Sequence, residues 1–400
     1  MKKFSIIMAL ALAGFLFLAL KLDSGINFQN RNLACLISPV KYFHDAKEFN
    51  MKPGSKLNVH LQTGGNIEVE SWNENKVSVE IDKMDVNKAA LSFKQSDDEL
   101  EISNDIGWEK DGFDSDATLK IKVPSKFDLE LYTSGGEISI KGVEGAIDGQ
   151  TMGGDLTLSG LKGKVKLNTM GGEISLKDSE VDGSVKTMGG EVLVENVKGD
   201  VDASSMGGQV RQVNVEGRGK SIGKEVNITT MGGDLIIDKA PSGAYLKTMG
   251  GKIEVNQAGK FLEAETYGGA IEAKAVDGWI KAKTMGGDID VKMTGDPNEG
   301  KRDVTLQSLG GDITLVVPAN LSMDIDVEIA YVKNRKHKSD EEFNKYKIVS
   351  DFPVNQERSK EWDTSKGSPR KYIYAKGTVE GGKNKIKIRT INGNVYLKKA

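Results

Sequence analysis

The sequence has little with which to do covalent or metal chemistry. Its 400 residues include one cysteine, Cys35, which excludes an intrachain disulfide and any cysteine-rich zinc site. His44, His60 and His337 are the only histidines, leaving little for imidazole catalysis. Charge of either sign is barely in excess: 55 basic and 58 acidic residues give a net −3. That is no basic footprint for nucleic acid, nor the one-signed excess of a disordered chain. Long apolar runs are also scarce, with a single stretch at residues 4–20 and none of that length after it. Nucleophile-elbow, phosphate-loop and zinc-protease motifs are missing.

Glycine is what the chain has in quantity, 47 residues against 8 prolines. It does not recur at every third position, so a collagen helix is excluded. Instead, glycine pairs begin at Gly135, Gly153, Gly171, Gly189, Gly207, Gly232, Gly250, Gly268, Gly286 and Gly310. Seven of the nine intervals are 18 residues, and the other two are 25 and 24. A fixed period of this size is the mark of a stacked repeat.

Each unit reads Thr-Met-Gly-Gly, then an often acidic residue, then apolar residues at alternate positions, as in Leu156/Leu158, Ile174/Leu176 and Val192/Val194. A second alternating run, such as Val165/Leu167, precedes the next pair. Alternation with period two specifies strands with one buried face, not helices. A two-strand unit cannot bury its apolar face alone, whereas stacked copies can. The expected fold is therefore an all-β, parallel β-solenoid of the β-helix or β-roll type. Its 18-residue coils would each hold two short strands, with caps at both ends. Ten coils at ~4.8 Å would make a stack roughly 50 Å long. The glycine pairs are expected to supply positive φ at tight corners. The longer intervals place protruding loops near residues 216–224 and 293–303.

The expected organisation is a signal peptide or N-terminal membrane anchor at 1–22, a linker at 23–52 and an N-terminal β segment or cap at 53–130. Solenoid repeats follow at 131–328, then a charged insertion at 329–384 and a C-terminal capping coil at 385–400. Lys2 and Lys3 before the apolar run read as an export signal. The predicted location is periplasm, cell surface or membrane-anchored and extracytoplasmic. Leu33-Ala34-Cys35 superficially resembles a lipidation box, but Lys21, Asp23 and Arg31 separate it from the apolar run, so an unpaired linker thiol is expected.

Residues 65–72 (GNIEVESW), 119–124 (LKIKVP), the Gly-Gly-Asp/Glu-Ile repeats and the closing 390–397 (TINGNVYL) resemble the bacterial putative-adhesin family of β-strand-repeat domains, a domain-of-unknown-function family. The resemblance covers roughly residues 53–400. It implies a β-solenoid, export and no established catalytic residues; separately, no cofactor is expected.

Three columns of residues recur with the repeat. The first is acidic: Glu137, Asp155, Glu173, Glu191, Asp234, Asp288 and Asp312, interrupted by Gln209, Lys252 and Ala270. Like charges stacked at ~4.8 Å in water repel by about 0.9 kcal/mol per pair, so Asp155, Glu173, Glu191, Asp234, Asp288 and Asp312 are weak candidate cation ligands. The calcium-binding β-roll motif needs further glycines and aspartates that are lacking, and solvated corner carboxylates are expected instead. The second column is Met152, Met170, Met188, Met206, Met231, Met249 and Met285, with Tyr267 and Leu309 in the same place. Such tolerance of Tyr and Leu points to packing in a corner of the core; facing outward instead, the column would be an apolar strip and an interaction site, and thioethers also bind copper(I). The third, a threonine column, is expected to form hydrogen-bonded ladders.

Only the two long loops concentrate polar groups, with Glu216, Arg218 and Lys220 on one and Asp296, Glu299 and Arg302 on the other. These six are the candidate ligand contacts. Four coils between the loops put them about 19 Å apart, too far for one catalytic carboxylate pair. The expected function is an exported, non-catalytic, adhesin-like or envelope-scaffold protein that meets a glycan or protein partner through a repetitive surface, and not nucleic acid. The alternatives are a polysaccharide-binding or polysaccharide-cleaving β-helix and a cation-binding β-roll.

Overall fold

The computed structural model describes residues 42–62, 64–85, 91–104, 117–217, 224–332, 340–365 and 367–400. The proposed signal or anchor, Cys35, Arg218 and Lys220 lie outside them. The described residues form one open β-sheet of 30 strands and a single short helix, Asp340–Lys345.

The period-two segments become strands that pair in parallel with their own copies. Leu156 faces Ile174, Ile174 faces Val192 and Val192 faces Val210. Across the longer intervals Val210 faces Leu235 and Ile289 faces Ile313, so the extra residues leave the register undisturbed. The second strand of each unit behaves alike, with Leu129 facing Ile147 and Ile147 facing Val165. Every named pairing between Asp128–Thr133 and Ile313–Val317 is parallel. Alternate side chains from both strand columns, such as Leu156, Ile174, Leu167 and Val185, are buried in one continuous apolar core.

The glycine pairs sit at bends, but positive φ is not their reason. Positive φ occurs at single glycines elsewhere, such as Gly163 and Gly183, and not at Gly153/Gly154, Gly171/Gly172 or Gly189/Gly190. The second glycine is required by space. A Cβ on Gly172 would press on the carbonyl of Gly154 and lie 2.8 Å from the Asp155 amide nitrogen. At Gly171 a Cβ would meet its nearest atoms at 3.6 to 3.8 Å, an ordinary contact. Nothing in the structure explains Gly171 sterically, whereas a Cβ on Gly232, the first glycine of another pair, would lie 3.0 Å from the Gly207 carbonyl oxygen.

The ends depart from sequence order. Lys56–Leu61 lies between Glu99–Asn104 and Asp128–Thr133, so the outermost coil at that end comes later in the chain. At the other end the closing segment, expected to be the cap, is internal. Asn384–Ile391 and Val395–Lys399 pair with Val304–Ser308 and Ile313–Val317 on one side. On the other they pair with Met323–Val332, which begins in the expected repeats and runs into the stretch taken as an insertion, and with Ile348–Ser350 from that stretch. That stretch supplies the outer cover, and Met323–Val332 is itself covered by the antiparallel Arg370–Val379. A bare parallel edge would be a template for pairing with another chain, and antiparallel strands close it here.

Candidate functional site

The methionine column faces solvent, which corrects the expectation of core packing. Met152, Met170, Met188, Met206, Met231, Met249 and Met285 are 44 to 52% exposed, and Tyr267 and Leu309 continue the line. By contrast Met51, Met293 and Met323 are buried. Local geometry produces this outcome. Val165, Leu167 and Thr169 are buried on alternate positions, so the next residue, Met170, falls on the outer face at the corner. Main-chain bonds hold neighbouring corners together: the Gly171 amide donates to the Met152 carbonyl at 3.1 Å, and the Met231 amide to the Met206 carbonyl at 2.8 Å. Nine apolar side chains thus form one ridge about 38 Å long, stepping ~4.8 Å per coil. A contiguous exposed apolar stripe of this kind is the surface feature that marks an interaction site.

Beneath the ridge runs the threonine ladder. The buried Thr169 hydroxyl donates to the Gly154 carbonyl of the preceding coil at 2.9 Å and accepts the Gly172 amide at 3.2 Å. Thr151, Thr187, Thr248, Thr266 and Thr284 repeat the pattern, and Ser205 and Ser308 preserve it with their own hydroxyls. Thr169→Val keeps the shape but strands a buried amide and a carbonyl, at an expected cost of about 1–3 kcal/mol. Thr169→Ser should cost much less, and urea unfolding midpoints compare the two variants.

The carboxylate column beside the ridge does structural work. Asp155 accepts the Glu173 amide at 2.7 Å, Asp234 the Lys252 amide at 2.7 Å, Asp288 the Asp312 amide at 2.8 Å and Asp312 the Asn394 amide at 2.7 Å. Each aspartate therefore ties one coil to the next. Glu173 and Glu191 are exposed. No group of three or more His, Cys, Asp or Glu that could hold a metal occurs among the described residues. Lys252, which interrupts the column, bonds Glu254 at 3.1 Å and lies 3.2 Å from Glu272. Hydrogen bonds from Lys274 and Lys252 hold Glu254 below the usual carboxylate range.

A second ladder escaped the sequence reading. Asp178, Asn196 and Asn214 adopt positive φ and link by side-chain bonds of 3.0 Å. Their common 18-residue spacing was the available signal.

On the outer face of the second strand column lies an open groove of about 980 Å³. Its charged groups are largely committed to one another or to the backbone. Lys56 meets Glu130 at 2.6 Å and Lys166 meets Asp148 at 2.9 Å, and these hydrogen bonds raise both lysine pKa values. Asp128, Asp182 and Asp200 accept the amides of Ala146, Asp200 and Lys224.

The loop candidates remain apart, separated by the stacked coils that run from Val210 through Leu235, Ile253 and Ile271 to Ile289. Glu216 is exposed, with Lys239 at 3.8 Å. Asp296 accepts the Asn298 amide at 2.9 Å, and Glu299 is exposed. Arg302, expected to contact ligand, is 2% exposed. Its guanidinium donates to the Glu299 carbonyl at 2.9 Å, the Thr294 carbonyl at 2.7 Å and Asp277 at 2.7 Å, bracing its own loop.

Comparison with known proteins gives a family match over nearly all of this region, since the model described as Toastrack DUF4097 matches residues 55–398. None of the curated proteins matches the chain. Similar solved structures include a putative adhesin from Parabacteroides distasonis, at 15% identity and TM-score 0.36, covering 64% of this chain and 98% of that one. A putative adhesin from Bacteroides fragilis is 18% identical at TM-score 0.31, covering 64% and 99%. A putative lipid binding protein from Parabacteroides distasonis is 18% identical at TM-score 0.36, covering 62% and 96%.

Proposed function

The chain belongs to the Toastrack DUF4097 family, and from that premise we propose an exported, non-catalytic, adhesin-like binding protein of the cell envelope. In this reading the repeats form a β-solenoid of 18-residue coils that displays one apolar ridge to a protein partner. The exposed methionine line carries the proposal, because seven large apolar side chains stand in water at equivalent corners while the other methionines with described side chains are buried. Methionine suits such a surface, being unbranched and able to adapt to different partners. Residues 4–20, behind Lys2 and Lys3, support export. Among the described residues no helix is long and apolar enough to cross a membrane.

The test is binding of envelope extract to the immobilised full chain. Met170→Ser, Met188→Ser and Met206→Ser together are expected to weaken capture about tenfold or more, equivalent to at least ~1.4 kcal/mol. A groove variant, Glu130→Gln with Lys166→Gln, should leave capture nearly unchanged. The groove favours a second reading, a polysaccharide-binding or polysaccharide-cleaving β-helix. Loss of capture in the groove variant alone, or reducing-sugar release by the wild type, would replace the first reading with the second.

A further inference from the structure

An apolar contact surface does not need sulfur, since Tyr267 and Leu309 occupy the same position in the ridge. Met152, Met170, Met188, Met206, Met231 and Met249 nevertheless follow one another without interruption on six successive coils. We propose that this run of exposed thioethers is a binding site for a soft monovalent d10 ion, copper(I) or its analogue silver(I).

Three observations converge on that ligand class. The first is chemical: neutral thioethers select soft copper(I) over hard cations such as calcium or magnesium. The second is spacing. An ion seated between two neighbouring sulfurs spans two metal–sulfur bonds, about 4.6 Å if each is near the 2.3 Å of zinc–thiolate sites. Adjacent corners are ~4.8 Å apart by the strand repeat, so unbranched side chains reach that geometry with little adjustment. The third is charge. Asp155, Glu173, Glu191 and Asp234 each lie three residues beyond a ridge methionine, so four of the six have a carboxylate at that position, with Gln209 and Lys252 at the other two. Six thioethers taken in pairs or triads would hold about two or three ions. The proposal uses the ridge but does not depend on protein docking there.

The experiment is anaerobic titration of the full chain, with Cys35→Ser to remove the thiol, using silver(I) and then ascorbate-reduced copper(I) against a chromophoric competitor. The wild-type ridge is expected to retain the metal. Replacing all six methionines with leucine should reduce retention about tenfold or more while leaving circular dichroism unchanged, because Leu309 shows that leucine fits this corner. Leucine also keeps the ridge apolar, so loss of metal binding and loss of envelope capture are separable failures. A gain variant, Tyr267→Met with Leu309→Met, completes the nine-position line and should raise the number of ions held. X-ray absorption of the copper form should show sulfur neighbours only. Equal retention by the leucine variant, no retention by the wild type, or nitrogen and oxygen neighbours around copper would each overturn the proposal.

Discussion

Gly172→Ala is expected to destabilise the protein by about 3 kcal/mol or more, at or beyond the upper end of ordinary overpacking, while Gly171→Ala changes stability by less than about 0.5 kcal/mol. The two residues are adjacent, carry the same side chain and belong to the same motif, so the difference isolates one cause. The Cβ added at Gly172 meets the Gly154 backbone, whereas that at Gly171 has its nearest neighbour at 3.6 Å. Side-chain rotation cannot relieve a clash with backbone, so the coils must separate locally. Separation would stretch the bond from Thr169 to the Gly154 carbonyl, 2.9 Å in the wild type. Gly190 faces Gly172 in the same way, so Gly190→Ala should behave like Gly172→Ala. Chemical denaturation of the three variants is the measurement. Equal midpoints for Gly171→Ala and Gly172→Ala would show that the corner yields and that close coil contact is not what demands glycine.

Arg302→Ala should cost about 2–3 kcal/mol and loosen the loop at residues 294–303. The guanidinium is buried and satisfies two backbone carbonyls as well as Asp277. Hydrogen bonds from charged donors contribute about 1.5–3 kcal/mol each, but the freed carbonyls recover part of that from water as the loop opens. Asp277 is 58% exposed in its side chain, and an ion pair with an exposed partner contributes about 1 kcal/mol or less. Asp277→Asn should therefore be nearly neutral. Thermal unfolding ranks the pair, and hydrogen exchange at residues 294–303 reports the loop. A larger loss for Asp277→Asn than for Arg302→Ala would place the stability in the ion pair and not in the carbonyl contacts. Neither substitution is expected to affect ridge binding, since Arg302 presents almost no surface to a ligand.

The alternation in residues such as Leu156/Leu158 and Val165/Leu167 was sufficient to identify strands and their buried face, because a period of two is a local property of the backbone. The same alternation also carried the answer for the ridge. Thr169 is in phase with Val165 and Leu167, so Met170 had to point outward. Hydrophobicity and tolerance of Tyr267 and Leu309 argued for the core, yet the strand's phase decided the direction. Arg302 departed from its expected role for a different reason. Arg302 looks like a surface charge by type and position, and only the fold of its loop shows three acceptors converging on it.

Residue order alone thus determined an all-β chain of repeats, because strand period and repeat spacing are written in short-range pattern. Tertiary structure decided why the second glycine of each pair is glycine, through a carbonyl one coil away. It also decided that the closing segment is internal, since Ile313 pairs with Val395 across 82 residues of sequence. That choice depends on which exposed edge needs cover, a property of the assembled sheet that no local pattern encodes.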